Sequence, residues 1–410
     1  MIGVVINQKI SLWKQVLLAL FLVDIMLIYP LVNRVQESSF SNRLLLVLLV
    51  FGVFLSFYRP WLAAMTKPRD IGSVLLISYL VWIMASTFGS IAFGIQSPGS
   101  FFTYGLNSFA PLILYGCFVG FPARRFLIGT ILGLTVLNIL IGIVTFKSMG
   151  LNIPGISSFF AKLIFDPDAH RLVSIIGKST VVGYLSVFSF AWILFFYQAR
   201  WRYVWLLFFG FAVLLSFQRS MWGGILLAFV LYMIFARVPR SRKLSDIAII
   251  GTLILITMVS LGKVLDFTQI TKLVLDRVEE FNFEDIMQER AEQQLLLNTD
   301  HWALVLVGEG YGKYSPLNKA ENELNLPDAP YHMIFNETGL IGFSLFVGML
   351  AAFLLRAVRR GNVFQIWFIL HLGITLLGSR ILWYFPLNFL VLIVLATLKD
   401  DRKDQSILPK

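Results

Sequence analysis

Long apolar runs alternate with short polar intervals along almost the whole chain. The runs are about 20 residues long, the length that an α-helix needs to cross the hydrocarbon core of a bilayer. The pattern predicts an all-α, polytopic membrane protein with about twelve transmembrane helices. The predicted spans are 15–33, 44–58, 71–92, 106–121, 126–146, 173–197, 203–217, 221–236, 244–262, 333–355, 363–379 and 381–398. Proline marks several predicted span ends, among them Pro30, Pro60 and Pro122.

The composition supports this class. Hydrophobic residues make up 58% of the chain and charged residues only 14%, whereas about a quarter of a soluble protein is charged. The net charge of +11 is one that nucleic-acid-binding proteins also carry. Here the basic residues cluster in short loops between apolar runs, as membrane orientation requires. We therefore expect the protein to associate with a lipid bilayer and to bind no nucleic acid.

The same basic residues predict that both termini are cytoplasmic. With the N-terminus inside, every internal loop carries at least two positive charges, which is typical of cytoplasmic loops. These residues are Arg59, Lys67, Arg69, Arg124, Arg125, Arg200, Arg202, Arg237, Arg240, Arg242, Lys243, Arg356, Arg359 and Arg360, and in the tail Lys399, Arg402 and Lys403. Arg34, Arg43 and Arg380 are exceptions. Two long loops, 147–172 and 263–332, are then outside.

A polar, glycine-rich segment closes the second outer loop and leads directly into the predicted span 333–355. It contains Gly308, Gly310 and Gly312, which allow a loop to turn tightly and to approach a ligand with bare backbone. A merely flexible loop is the alternative. A dinucleotide-binding motif is excluded, because no strand of a βαβ unit precedes these glycines.

Candidate acid–base groups gather around the start of the same span, where Asp328, His332, Asn336 and Glu337 follow one another. Asp328 and Asn336 each lie four residues from His332, so a helix would place all three on one face. A carboxylate stabilises a charged imidazole, and such a pair is a reasonable general base. Ordinary capping of the helix by Asp328 is the alternative.

Arg219 is the most conspicuous cation at membrane depth, in the outer turn between two tightly joined spans. Such a charge is costly unless it has a partner, a cavity or a route to water. Its planar guanidinium suits a phosphate group, and Lys178 and Arg171 are weaker candidates of the same kind. Snorkelling of the side chain to the interface is the alternative for each of them.

No cofactor or metal is expected. The acidic residues and histidines lack a metal-ligand spacing such as HExxH, and no P-loop is present. The single cysteine, Cys117, lies in an apolar run and excludes an intramolecular disulfide. His371 also lies in an apolar run, where a packed, hydrogen-bonded core histidine is expected.

Four sequence elements follow one another between residues 173 and 355. They are SFQRS at 216–220, the outer-loop Arg290, GEGYG at 308–312, and ETGLIGF at 337–343. In this order they resemble the O-antigen ligase and polymerase superfamily, bacterial membrane glycosyltransferases that share a C-terminal domain. The resemblance divides the chain into N-terminal helices with the first outer loop (1–172), a ligase-related core (173–355), and C-terminal helices with a tail (356–410).

The resemblance implies a GT-C-like glycosyltransferase of the bacterial inner membrane with its active site on the extracytoplasmic side. Such enzymes transfer a glycan from undecaprenyl diphosphate to an acceptor hydroxyl, either of a growing glycan or of a lipid A-core. On this basis Arg219, Arg290 and Lys178 would bind the diphosphate, and His332 or Asp328 would be the base. The glycine loop with Asn336 and Glu337 would contact substrate. A chain-length regulator or a flippase are further expected partners.

One departure favours a polymerase over a ligase. Ligases of the superfamily carry a His-Asn pair eleven residues before the first glycine of the last element, but here Asp328 and Ala329 occupy those positions. His332 is only seven residues before Gly339. Asp328 is therefore a rival of His332, and the ligase remains an alternative. A flippase of the same lipid-linked sugars is the second alternative, and His371 within the membrane fits it somewhat better.

Overall fold

The computed structural model describes part of the chain and is helical there. The described residues are 11–28, 30, 40–66, 70–95, 114–119, 124–145, 172, 179–197, 201–216, 218–235, 243–246, 248–252, 302–311, 313, 330–376 and 387–397. No strand occurs among them. The all-α prediction is confirmed for this part of the chain.

Eleven α-helices are numbered here in chain order. They are α1 Leu12–Val23, α2 Phe40–Thr66, α3 Ile71–Ala92, α4 Arg124–Thr145, α5 Ser179–Phe196, α6 Arg202–Leu215, α7 Arg219–Phe235, α8 Trp302–Val307, α9 Pro330–Arg360, α10 Val363–Thr375 and α11 Leu387–Thr397. A π-helical turn, Asp24–Ile28, continues α1. Pro330 opens α9, where its missing N–H is not needed.

Five of these helices are long and apolar enough to cross a membrane: residues Leu44–Thr66, Ile71–Ala92, Phe126–Ile143, Ser179–Phe196 and Tyr331–Arg360. Helices α6, α7 and α10 are apolar but shorter. Large apolar side chains stay exposed along these helices, for example Leu48, Phe51 and Leu55 on α2. Such a surface suits a lipid environment. The count of twelve spans and the GT-C fold stay predictions.

Helix α2 differs from its prediction. The predicted span 44–58 ends before Pro60, but the helix continues through this proline to Thr66. The helix bends instead, with non-helical dihedral angles at Phe57. A proline removes one hydrogen bond and clashes with the preceding turn, so a kink is the alternative to a stop.

The described helices pack in three connected groups. Helix α9 lies along α3 and also contacts α8 and α10. Helices α5, α6, α7 and α10 form an aromatic core, in which Phe364 packs against Phe188, Trp192 and Phe196. Helix α1 packs on α2 and α4, and α4 also contacts α5. Cys117 is buried.

A buried polar cluster lies where α5 ends and α6 begins. Arg202 forms an ion pair with Asp246 at 3.0 Å and donates to the Leu194 carbonyl at 2.8 Å. The hydroxyls of Tyr203 and Tyr232 also donate to Asp246. Because each charge is paired and hydrogen-bonded, the cluster can remain buried.

Candidate functional site

Helix α9 is broken inside its apolar stretch. Gly339 has φ 67° and ψ −175°, a backbone conformation that is open almost only to glycine. The helix before the break carries the candidate residues His332 and Asn336. A break frees peptide groups that must find other partners, because no water is available at membrane depth.

The glycine loop supplies these partners. The amide of Glu309 donates to the Asn336 carbonyl at 2.9 Å, and the amide of Gly310 donates to the Glu337 carbonyl at 3.0 Å. We call residues 308–310 and 336–339 together the glycine interlock. Two segments that are separate in sequence are thus joined backbone to backbone.

The interlock leaves no room for side chains at its centre. A Cβ atom on Gly308 would lie 2.5 Å from the Glu337 carbonyl oxygen, and one on Gly339 would lie 2.3 Å from the Leu306 carbonyl oxygen. Gly308 also has a positive φ of 85°. These glycines therefore allow a close approach to the chain's own backbone. Their contact with a substrate stays a prediction.

Helix α3 forms the third side of the interlock. The indole of Trp82 donates to the Thr338 carbonyl at 2.7 Å, and the Tyr311 amide donates to the Thr87 hydroxyl at 3.2 Å. The Ser90 hydroxyl donates to the Glu309 carbonyl. Sequence reasoning missed these residues. The signal was present as polar residues at helical spacing, including Ser86, within the apolar run 71–92.

Glu337 is completely buried. Its charge acts on Tyr311, whose pKa is raised above its ordinary value by burial and then by this carboxylate. Glu337 therefore belongs to the interior of the interlock, and a direct contact with a large glycan would need the surrounding helices to move apart.

His332 lies in the first turn of α9, and Asn336 follows one turn later. The imidazole is half-buried, and its Nδ1 is buried without a hydrogen-bond partner among the described residues. A ring nitrogen in this state can accept a proton or orient toward a ligand. His332 is thus the candidate base that the structure describes.

Arg219 is the first residue of α7 and is half-buried. Its neighbour Gln218 donates to the hydroxyl of Ser179, the first residue of α5, at 3.0 Å. The starts of α5 and α7 therefore lie side by side.

Helix α10 contacts both α7, which carries Arg219, and α9, which carries His332. The indole of Trp367 donates to the Gly224 carbonyl at 2.9 Å, about one and a half turns after Arg219. The hydroxyl of Tyr331 donates to the Gly373 carbonyl at 3.0 Å. The start of α7 lies beside the start of α5, and Tyr184 near the start of α5 stacks on His371 near the end of α10. The start of α9 meets the same end of α10 at Gly373, which places Arg219 and His332 at the same end of the helix bundle.

His371 is a packed core histidine, as expected. Its ring stacks between Tyr184 and Trp367, at centroid distances of 5.4 and 5.3 Å. Gly224 makes this possible, because a Cβ there would lie 2.5 Å from the imidazole. The hydrogen bonding is incomplete: Nδ1 lies 3.5 Å from the Thr375 hydroxyl, while Nε2 has no partner among the described residues.

Five candidate residues lie outside the described part of the chain: Arg171, Lys178, Arg290, Gly312 and Asp328. Within the described part, no group of three or more His, Cys, Asp or Glu side chains could hold a metal ion. The comparisons with known proteins add nothing further: no family model matches the chain, and no curated protein matches it.

Proposed function

We propose that the protein is an integral membrane glycosyltransferase that polymerises glycan repeat units linked to undecaprenyl diphosphate. It acts on the outer face of the bacterial inner membrane, in the biosynthesis of a surface polysaccharide. The glycine interlock is the observation that supports this most. The two sequence elements that carry much of the family resemblance, GEGYG and ETGLIGF, contact each other directly through Gly308 and Gly339.

The proposed reaction is a direct displacement at the anomeric carbon of the donor. The acceptor hydroxyl oxygen forms the new bond to this carbon while its bond to the diphosphate oxygen breaks. Undecaprenyl diphosphate leaves with the electron pair, and the hydroxyl proton passes to His332 or Asp328. The configuration at the anomeric carbon is inverted.

The cations carry the electrostatic part of the proposal. The diphosphate already is a good leaving group, so cations that hold its developing charge matter more than an acid. Arg219, with Arg290 and Lys178, has this role, and each well-placed group contributes about 3 kcal/mol. The base contributes a factor of about 10²–10⁴. Support comes from the position of Arg219 and His332 at the same end of the bundle.

A ligase would use the same chemistry with a lipid A-core as acceptor. Asp328 and Ala329, in place of the His-Asn pair of the ligases, favour the polymerase. The two activities differ only in the acceptor, so one assay with both acceptors separates them.

A flippase of the same lipids is the second candidate, and the break in α9 favours it. Transporters often bind substrates where a transmembrane helix is interrupted. Here, however, the peptide groups at the break bond to Glu309, Gly310 and Trp82. The interruption is filled by the chain itself, so the glycosyltransferase has the stronger support.

The test uses purified protein in nanodiscs with undecaprenyl-diphosphate-linked repeat units and no nucleotide. Product length is followed by mass spectrometry for the wild type and for Arg219→Ala, His332→Ala and Asp328→Ala. Arg359→Ala is the matched control, since this exposed arginine lies at the far end of α9. We expect longer lipid-linked chains that are lost with Arg219 and with one of the two base candidates, but not with Arg359.

The other outcomes decide between the alternatives. Product that forms only after addition of a lipid A-core acceptor would identify a ligase. Movement of the lipid across the bilayer without any new glycosidic bond would identify a flippase. A product with retained anomeric configuration would reject the direct displacement.

A further inference from the structure

A lysine and a glutamate of the glycine loop form an ion pair beside the glycine interlock. The Lys313 ammonium contacts the Glu309 carboxylate. The two side chains keep 25% and 12% of their surface exposed, so both charges are largely removed from water while a ligand can still reach them. The removal of two charges from water is costly, and such a pair is by itself weak evidence for a stabilising role.

The backbone of the loop is held by other bonds. The Glu309 amide donates to the Asn336 carbonyl, and the Gly310 amide donates to the Glu337 carbonyl. The Ser90 hydroxyl of α3 donates to the Glu309 carbonyl. None of these bonds uses either charged side chain of the ion pair. The fold therefore fixes where the ion pair lies through bonds in which the pair itself has no part.

The ion pair lies close to the candidate base. Its glutamate, Glu309, is bonded through the backbone to Asn336, which follows His332 by one turn of α9. Because α9 begins at Pro330, these residues lie near the helix end that is predicted to face outward. The headgroup region of a bilayer flanks its hydrocarbon core at such a helix end. A lipid phosphate is therefore expected at the level of the ion pair.

The chemistry of the lysine suits a phosphate group. An ammonium is a compact charge with several N–H donors on a flexible stem, and lysine is a common phosphate ligand. The Glu309 carboxylate compensates this charge in the absence of an anion, but the same carboxylate repels an anion that approaches. A diphosphate must therefore compete with Glu309 for the Lys313 ammonium.

We propose that Lys313 binds the diphosphate of the lipid-linked substrate, and that Glu309 holds the lysine ammonium in place until the diphosphate binds. The inference rests on the proposed function, because its ligand is the diphosphate of the proposed donor. The two side chains then have opposite effects: Lys313 strengthens diphosphate binding, whereas Glu309 weakens it. An ion pair with a purely structural role would lose the same contact whichever partner is removed, so both changes would act in one direction.

Equilibrium binding of radiolabelled undecaprenyl diphosphate to the full-length protein in nanodiscs tests the proposal. Undecaprenol, which lacks the phosphates, is the reference ligand. We expect Lys313→Met to bind undecaprenyl diphosphate about tenfold more weakly than the wild type, because a charge-assisted bond is lost. We expect Glu309→Gln to bind it about threefold more tightly, because a like charge is removed. The binding of undecaprenol should be the same in all three proteins.

Matched controls remove the same charges elsewhere in the molecule. Lys14→Met removes a half-buried ammonium that donates to the Ser56 carbonyl. Asp70→Asn removes a carboxylate that pairs with Arg356, at the far end of the contact between α3 and α9. Both controls should bind undecaprenyl diphosphate with the affinity of the wild type.

Two results would overturn the proposal. One is an affinity of Lys313→Met equal to that of the wild type, and the other is a loss in Glu309→Gln as large as that in Lys313→Met. If Lys313→Met does not fold, Glu309→Gln decides alone: tighter binding supports the proposal, and unchanged or weaker binding overturns it.

The polymerisation assay separates this proposal from the proposed function. Affinity that depends on Lys313, without any new glycosidic bond in the assay, would reject the glycosyl transfer and keep the diphosphate site. Polymerisation by the wild type, together with an unchanged affinity of Lys313→Met, would keep the glycosyl transfer and reject the role of Lys313.

Discussion

The two ends of the contact between α3 and α9 are held in opposite ways. At one end, backbone groups of the glycine interlock bond to one another and to Trp82. At the other end, side-chain charges make the contact: Arg356 pairs with Asp70 at 2.6 Å, and its guanidinium lies 4.9 Å from the Phe353 ring. A backbone contact requires glycine at particular positions, whereas a side-chain contact requires only compatible charge and length.

This difference predicts unequal tolerance to substitution. At the interlock, a Cβ atom added to Gly308 or to Gly339 meets a peptide group of the other segment. At the charged end, flexible side chains can rearrange and water can reach part of the pair, since Arg356 and Asp70 keep 11% and 18% of their side-chain surface exposed. The predicted active site thus lies at the less tolerant end.

The largest effect is expected for Gly339→Ala. Its backbone conformation alone costs a non-glycine residue about 1–3 kcal/mol, and overpacking against the Leu306 carbonyl adds about 1–3 kcal/mol. We expect a loss of about 4 kcal/mol in the free energy of unfolding, the sum of mid-range strain and overpacking terms, or no folded protein at all. Thermal unfolding of purified protein in detergent measures it.

Gly348→Ala is the control on the same helix. A Cβ there would make an ordinary contact, 3.6 Å from the Leu75 side chain. Alanine has the higher helix propensity, so the change should stabilise by up to about 1 kcal/mol. Equal losses for the two variants would contradict the interlock as the cause.

A smaller loss is expected at the charged end, for Arg356→Gln. It leaves Asp70 without its cation, and we expect a loss of about 1–3 kcal/mol, below the value for a fully buried pair. Asp70 also caps α3 by accepting from the Ser73 amide at 3.0 Å. A double-mutant cycle with Asp70→Asn separates the pair from the cap, with a coupling of about 1–2 kcal/mol. Arg359→Gln, exposed on the same turn, should lose less stability than Arg356→Gln. The absence of coupling between Arg356 and Asp70 in the cycle would disprove the pairing.

Trp82→Phe is expected to cost about 1–2 kcal/mol. It keeps most of the ring but removes the indole donor, which leaves the buried Thr338 carbonyl with an unmade hydrogen bond. The exposed Trp201 provides the matched substitution, Trp201→Phe. Denaturation curves of the two variants should differ, and identical midpoints would argue against a structural role of the indole bond.

The smallest effect is expected for Ser90→Ala, about 0.5–1.5 kcal/mol. It removes the hydroxyl bond from α3 to the Glu309 carbonyl, while the interlock keeps its backbone bonds. Ser86→Ala is a close control, since this hydroxyl bonds to the Ile83 carbonyl of its own helix. A larger loss for Ser86→Ala than for Ser90→Ala would reverse the expected order.

The helices were predictable because apolar length alone decides where a chain can cross a bilayer. The predicted span 71–92 coincides with the helix Ile71–Ala92, and the predicted span 173–197 contains the helix Ser179–Phe196. The break in α9 was not predictable, because ETGLIGF reads as the start of an ordinary helix. The break is stabilised by a tertiary contact with residues 308–310. The pattern of apolar and polar residues within one helix does not indicate which distant segment that helix will contact.

The candidate site was predictable only as a set of residue types. The glycines were expected to approach a ligand with bare backbone, and this stays a prediction; in the structure Gly308 and Gly339 approach the chain's own backbone. The position of Arg219 and His332 at the same end of the helix bundle depends on α10, which lies far from Arg219 in sequence and contacts α7 at Gly224 and α9 at Tyr331.

The partners of α3 have a consequence for how the protein is made. Trp82 bonds to a carbonyl 256 residues later, and Asp70 pairs with an arginine 286 residues later. At 5–20 residues per second, a ribosome needs roughly 10–60 s to synthesise the chain in between. During this time Trp82, Ser90 and Asp70 lack the partners that they bond in the finished structure. Helix α9, the main neighbour of α3, is synthesised late. We therefore expect the rate of translation, and any protein that binds α3 in the meantime, to influence how much of the protein assembles correctly.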